Sequence, residues 1–148
     1  MSTPREVSRE ITLHVRDESL CLHAQRAARA LARRFDEAFK PLSLTNGQFS
    51  LMMSLNRPEP PTMGRVAFGL AMDRTTLTAA LKPLARRGLV EVMVDAKDRR
   101  SRRMMLTPEG RALLARAVPI WQQSHAELDH LLPDGHPDRL RSDLTALS

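Results

Sequence analysis

A mainly α-helical fold carrying one small β-hairpin is what this sequence predicts, and three observations carry the prediction. Apolar residues recur at three- and four-residue spacing over most of the 148 positions, the period of helices with one buried face. That period changes to two over a single stretch, Leu89-Val90-Glu91-Val92-Met93-Val94, where Val90, Val92 and Val94 share one side of a strand. A charged loop, Asp95-Ala96-Lys97-Asp98-Arg99-Arg100-Ser101-Arg102, then leads into an apolar partner strand, Arg103-Met104-Met105-Leu106.

Residues 1–16 show little patterning and are read as an arm of unassigned structure. The first helix is predicted from about Asp17 to Lys40, with Cys21, Ala24, Ala28, Leu31, Phe35 and Ala38 as its buried stripe and Pro41 as its stop. Thr45-Asn46-Gly47-Gln48 has the form of a capping box, opening a second helix through Met52, Met53 and Leu55. The run Asn56-Arg57-Pro58-Glu59-Pro60-Pro61 is a turn-rich connector. Thr62 caps a short helix reaching about Leu70, and Asp73 caps another from Arg74 to about Arg87, which Gly88 ends. In that helix Leu77, Leu81 and Leu84 form the inner edge, while Thr75, Ala79, Lys82 and Arg86 face outward. Pro83 is expected to bend it or loosen its last turn. Thr107-Pro108-Glu109 starts a long helix with Leu113, Ala117, Ile120, Ser124, Leu128 and Leu131 as its stripe and a kink at Pro119. After the breaker Pro133-Asp134-Gly135-His136-Pro137 comes a last short helix, about Asp138 to Leu147.

The length suits one domain with a core of its own. One cysteine excludes an internal disulfide framework and fits a reducing compartment. Charges recur through the N-terminus (Arg5, Glu6, Arg9, Glu10), without the apolar run of a signal peptide or membrane span. A cytoplasmic protein with no membrane partner is expected. Lys plus Arg is 23 against 17 Asp plus Glu, a net +6, and only Lys40, Lys82 and Lys97 are lysines. Between Asp73 and Arg103 nine cations face four acids, so this short segment carries +5 of the total.

A short helix joined to a second by a tight turn, then a strand, a basic loop and a strand, is a winged helix-turn-helix arrangement, the first part spanning about 62–87 and the wing about 89–106. Its second helix would offer Arg74, Thr75, Thr76, Thr78 and Lys82 to double-stranded DNA, with arginine able to pair with guanine in the major groove. Lys97, Arg99, Arg100 and Arg102 would reach a neighbouring minor groove, whose negative potential draws arginine.

The residues Asp73-Arg74-Thr75-Thr76-Leu77-Thr78, Arg87-Gly88-Leu89-Val90, Asp95, Asp98-Arg99-Arg100 and Leu106-Thr107-Pro108-Glu109-Gly110 closely resemble the multiple-antibiotic-resistance regulator (MarR) family. The resemblance covers about residues 17–148. It implies a homodimer built from helices at about 17–40 and 108–147, binding an inverted-repeat operator, and a repressor released by a small aromatic or acyl ligand. It also implies that Asp98 braces the loop of the wing and that Arg99 or Arg100 enters the minor groove. Ala79 departs from relatives that carry arginine there, which shifts the expected base readout to Arg74, the threonines and the wing.

Two further expectations come from the resemblance. Cys21 falls where a hydroperoxide-sensing branch keeps its reactive cysteine, so a redox-sensing regulator is one alternative. That branch supplies tyrosine hydroxyls, whereas this chain has no tyrosine and Phe35 stands at one matching position. Cys21 is therefore read as a packing residue on its helix stripe. His23, Arg26, Arg29, Met52, Met53 and Trp121 are candidate effector contacts, the cations for a carboxylate and the soft side chains for apolar walls, although core packing explains the methionines and tryptophan and is the preferred reading for them. The five histidines lack the paired spacing of a zinc site. No nucleophile–base pair and no phosphate-cradling glycine loop is present, so neither an enzyme nor a cofactor is expected. A non-specific architectural DNA binder is the other alternative.

Overall fold

The computed structural model describes residues 6–148, as two units, the first reaching Arg34 and the second running from Phe35 to Ser148. Residues 1–5 of the expected arm lie outside the described residues. The first unit contains helix α1 (Arg9–Glu18) and most of helix α2 (Leu20–Phe39). Two serines, not foreseen as caps, set these boundaries. The Ser8 hydroxyl accepts from the Ile11 amide at 3.2 Å, and the Ser19 hydroxyl accepts from the Leu22 amide at 3.2 Å. Asp17, expected to begin the first helix, sits instead in the last turn of α1.

The expected α2 stripe is only partly buried. Phe35 is buried and Ala38 half-buried, whereas Cys21, Ala24, Ala28 and Leu31 are exposed; Phe39, outside the expected stripe, is buried as well. Among the described residues of the first unit none is buried, so two amphipathic helices stand there without a core.

The second unit has the expected order: helices α3 (Asn46–Ser54), α4 (Met63–Gly69) and α5 (Arg74–Arg86), strands β1 (Val90–Val94) and β2 (Arg102–Leu106), then helices α6 (Pro108–Asp129) and α7 (Pro137–Ala146). The capping box opening α3 is present in both directions: Gln48 N–H donates to the Thr45 hydroxyl at 3.1 Å and Thr45 N–H to the Gln48 side chain at 3.0 Å. The core joins Phe39, Leu51 and Met52 to Val66, Leu77, Leu84 and Met104, with Leu114 and Ala117 from α6. Phe35, Phe39, Phe49, Trp121 and His125 form a closed ring of aromatic neighbours, with centroids from 4.6 to 6.4 Å apart. His125 was not singled out beforehand, although Trp121 and His125 stand four apart on one helix face.

The packing departs from expectation on the wing strand and at the end of α6. The expected α6 stripe is covered from Leu113 to Leu128: Ala117 is buried and Leu113, Ile120, Ser124 and Leu128 are half-buried, with buried Gly110 and Leu114 beside them, while Leu131 is exposed. On β1 only Val90 is buried. Val92 and Val94 are exposed because a two-stranded ribbon leaves the core as it lengthens. Both helix prolines are accommodated: α5 runs unbroken through Pro83, with Arg87 N–H donating to its carbonyl at 3.1 Å, and α6 runs through Pro119. The carbonyls these prolines leave without a donor belong to Ala79 and Ala115, both at exposed positions where water can bond them.

Candidate nucleic-acid interface

The helix–turn–helix is set by two N-caps and one left-handed residue. The Thr62 hydroxyl accepts from Arg65 N–H at 3.3 Å to start α4, and the Asp73 carboxylate accepts from Thr76 N–H at 2.7 Å to start α5. That backbone bond, joined by the Thr76 hydroxyl, holds Asp73 below the usual carboxylate range. Between the helices Ala71 adopts φ 52°, and Met72 N–H returns to the Ala67 carbonyl at 2.8 Å. Left-handed geometry costs a residue with a Cβ about 1 kcal/mol, which the closing hydrogen bonds offset.

Leu77, Leu81 and Leu84 are buried, and this turns Arg74, Thr75, Thr78, Ala79 and Lys82 outward as one continuous face of α5. The threonines are not equivalent. Thr76 is engaged with Asp73, and the Thr78 hydroxyl donates to the Arg74 carbonyl at 2.8 Å. Thr75 carries no side-chain hydrogen bond among the described residues, so its hydroxyl is the one offered outward.

β1 and β2 pair antiparallel, with Val90 opposite Leu106 and Val94 opposite Arg102. The wing is fastened at its base. Met104 N–H donates to the Pro61 carbonyl at 3.1 Å, and Thr62 pairs with Arg103 as an isolated bridge. Arg103 donates to the Pro60 carbonyl at 2.6 Å and to the Asp95 carboxylate at 3.1 Å. Asp95 is nearly buried and is held below the usual carboxylate range, first by Lys97 N–H and then by Arg103. Asp98, expected as the acid that braces the loop, accepts from Arg100 N–H at 3.0 Å within that loop and shapes the tip. The brace between tip and strand is Asp95, which the sequence motif contains but whose partner, 8 residues away, it does not reveal.

Lys97, Arg99, Arg100 and Arg102 are all exposed at the tip. Arg102 is partly tied down, donating to the carbonyls of Arg99 at 3.1 Å and Ser101 at 3.3 Å. Arg99 and Arg100 make no side-chain bond among the described residues. The result is a cationic loop and a polar helix face in one unit, with few acids to oppose them.

The other candidates fall as follows. His23, Arg26 and Arg29 lie on one exposed side of α2, His23 Nδ1 2.6 Å from the Ser19 carbonyl. Met52 is fully buried in the core and offers no surface in this structure; Met53 is exposed, and Trp121 is half-buried against His125. Cys21, read from its stripe as a packing residue, is exposed among the described residues. No helix of the described residues is long and apolar enough to cross a membrane.

Comparison with known proteins agrees with this geometry. Residues 44–110 match a winged helix DNA-binding domain. The chain is 40% identical to the Mycobacterium tuberculosis transcriptional regulator MosR, solved in complex with DNA, over 88% of this chain and 93% of that one, with a TM-score of 0.80. It is 31% identical to the transcriptional repressor CouR, solved on a 23-mer DNA duplex, over 96% and 98% of the two chains, with a TM-score of 0.79. It is 27% identical over 104 residues to an organic hydroperoxide resistance transcriptional regulator of Bacillus subtilis, covering 70% of this chain and 71% of that protein. The chain belongs to the MarR family of winged helix DNA-binding transcriptional regulators.

Proposed function

We propose that the protein is a homodimeric, sequence-specific repressor that binds an inverted repeat through α5 and the wing and is released by a small hydrophobic anion. The observation that carries the reading is the joint outward presentation of the α5 face and an arginine-rich tip anchored beside it. Thr75 and Lys82 suit base edges and phosphates, and the Ala79 methyl suits the methyl group of thymine. Dimerisation is supported by the coreless first unit, where Ile11, Val15, Leu20 and Leu31 are exposed, and by exposed Leu140 and Leu144 on α7 with Leu147 at its C-cap. About 30 residues without a buried side chain gain stability only from a partner surface.

Footprinting on the DNA flanking the gene, with titrations against scrambled duplex, tests the reading. A large specific-to-random affinity ratio is expected, whereas equal affinities would make the protein an architectural binder. Ultracentrifugation should show a dimer at micromolar concentration; a monomer with unchanged DNA affinity refutes the two-fold arrangement. For the effector, His23, Arg26 and Arg29 on one exposed side of α2 supply cationic chemistry for a carboxylate, which keeps aromatic carboxylates or their thioesters as the candidate class. A coupling of about 1–3 kcal/mol releases DNA by roughly 5- to 150-fold, and operator must weaken ligand binding by the same factor. Calorimetry with and without operator measures both halves.

Exposed Cys21 favours a second reading, release of DNA on oxidation by an organic hydroperoxide. The hydroperoxide-regulator relative supports it, and the absence of tyrosine opposes it. Peroxide-induced release that vanishes in Cys21→Ser establishes this reading, and an unchanged response removes it.

A further inference from the structure

We infer that Arg74, together with Arg100 and Arg102, grips one backbone phosphate of the bound duplex in a notch between α5 and the wing, and that Gly64 keeps this notch open. The inference rests on the proposed DNA-binding role and changes what Arg74 does there: it clamps the backbone, where the sequence pointed to a guanine edge.

The notch has a volume of about 210 Å3. Its floor is Met63 and Gly64 in the first turn of α4, Arg74 forms one wall, and Asp98, Arg100, Ser101 and Arg102 form the other. The Arg74 guanidinium is folded back over α4, so that a Cβ built on Gly64 would lie 3.1 Å from its Nη2. An arginine reaching straight out from the start of α5 would not touch α4. Three guanidinium groups face a single carboxylate, Asp98, which is occupied by Arg100 N–H. A phosphodiester carries one negative charge shared between two non-bridging oxygens, which guanidinium forks can engage in pairs.

The topology of duplex DNA says what crosses this notch. A sugar–phosphate strand separates each major groove from the neighbouring minor groove. A protein with a helix in one and a wing in the other straddles that strand, and the strand passes between them. In this chain the space between helix and wing is lined by arginine and floored by the residue with the smallest side chain.

Titrations of wild type, Arg74→Ala, Gly64→Ala and the double variant, on operator and on scrambled duplex across a salt series, test the inference. Losing one phosphate contact should lower the slope of log affinity against log salt by about 0.9, equivalent to about fivefold in affinity at 0.15 M salt. For Arg74→Ala this loss is expected equally on operator and scrambled DNA. Gly64→Ala should show the same signature, and adding it to Arg74→Ala should weaken binding no further. Its thermal midpoint should hold or rise, because alanine is the better helix former, which separates the effect from misfolding. Loss on operator alone with an unchanged slope makes Arg74 a base reader and overturns the clamp. Undiminished binding, or Gly64→Ala and Arg74→Ala effects that simply add, overturns it as well. If wild type fails to prefer operator, the regulator reading fails while the clamp is still judged on scrambled DNA.

Discussion

Replacing Gly110 by alanine sets two physical effects against each other, and the structure decides their sign. Gly110 lies in the first turn of α6, where alanine by propensity alone would stabilise the helix by up to about 1 kcal/mol. A Cβ at this position, however, would stand 2.1 Å from the carbonyl oxygen of Leu89, a backbone atom that no side-chain rotation moves. Restoring ordinary contact requires α6 and the start of the wing to part by about 1.3 Å. Two hydrogen bonds span that junction, Thr107 N–H to the Leu89 carbonyl at 3.1 Å and the Thr107 hydroxyl to the Gly88 carbonyl at 2.6 Å. Losing both costs about 2 kcal/mol, and overpacking adds about 1–3 kcal/mol. After the propensity gain, Gly110→Ala should be less stable by about 2–4 kcal/mol. Urea unfolding by circular dichroism should show a lower midpoint at unchanged slope. A variant as stable as the parent, or more so, refutes the argument that close backbone approach is what requires glycine here.

Three other outcomes are expected. Arg99→Ala and Arg100→Ala should each weaken operator binding by about 1–3 kcal/mol while leaving the melting temperature unmoved, and normal binding by both removes the tip from the interface. Because Lys97 N–H and Arg103 lower the folded-state pKa of Asp95, its carboxylate contributes full stability above the unfolded value near about 4, and this contribution is lost as pH falls through the lower folded value. Asp95→Asn should therefore flatten the acid limb of urea midpoint against pH and leave the neutral region without added slope; an identical acid limb refutes the brace. Pro83→Ala should raise the melting temperature, by about 1 kcal/mol in stability, since it restores a donor to Ala79 inside a helix; a lower value shows that the proline ring packs better than its exposed neighbourhood suggests.

What was legible in the sequence is what depends on near neighbours. The caps at Thr45, Thr62, Asp73 and Thr107 act over three residues, and each was read correctly, as was left-handed Gly88 at φ 71°. The left-handed turn at Ala71 gave no signal because no glycine or asparagine marks it. Contacts distant in the chain were also hidden. Arg103 reaching the Pro60 carbonyl spans 43 residues, and Arg87 donating to the Ser43 carbonyl at 2.6 Å spans 44. The Cys21 stripe misled for a different reason. Periodicity reports that a face seeks cover, and it does not report whether the same chain supplies it. In the site itself, residue types were readable from charge and placement, whereas the split of labour between Asp95 and Asp98, and the folding of Arg74 over Gly64, needed coordinates.

The way the wing is fastened has a consequence for engineering. Its attachments to the rest of the unit lie at its base, among them the Pro60 and Pro61 carbonyls, Thr62, Arg103, Met104 and the Thr107 bonds to the Gly88 and Leu89 carbonyls. Beyond Asp95 the tip is held only by bonds within itself, such as Ser101 N–H to the Asp98 carbonyl at 2.9 Å. Residues 96–101 therefore form a cassette that can be exchanged for a tip of another length or charge without touching the core. Chimeras carrying foreign tips on this base should keep the parent's unfolding midpoint while their groove preference follows the donor, which makes the wing a replaceable part on a fixed mount.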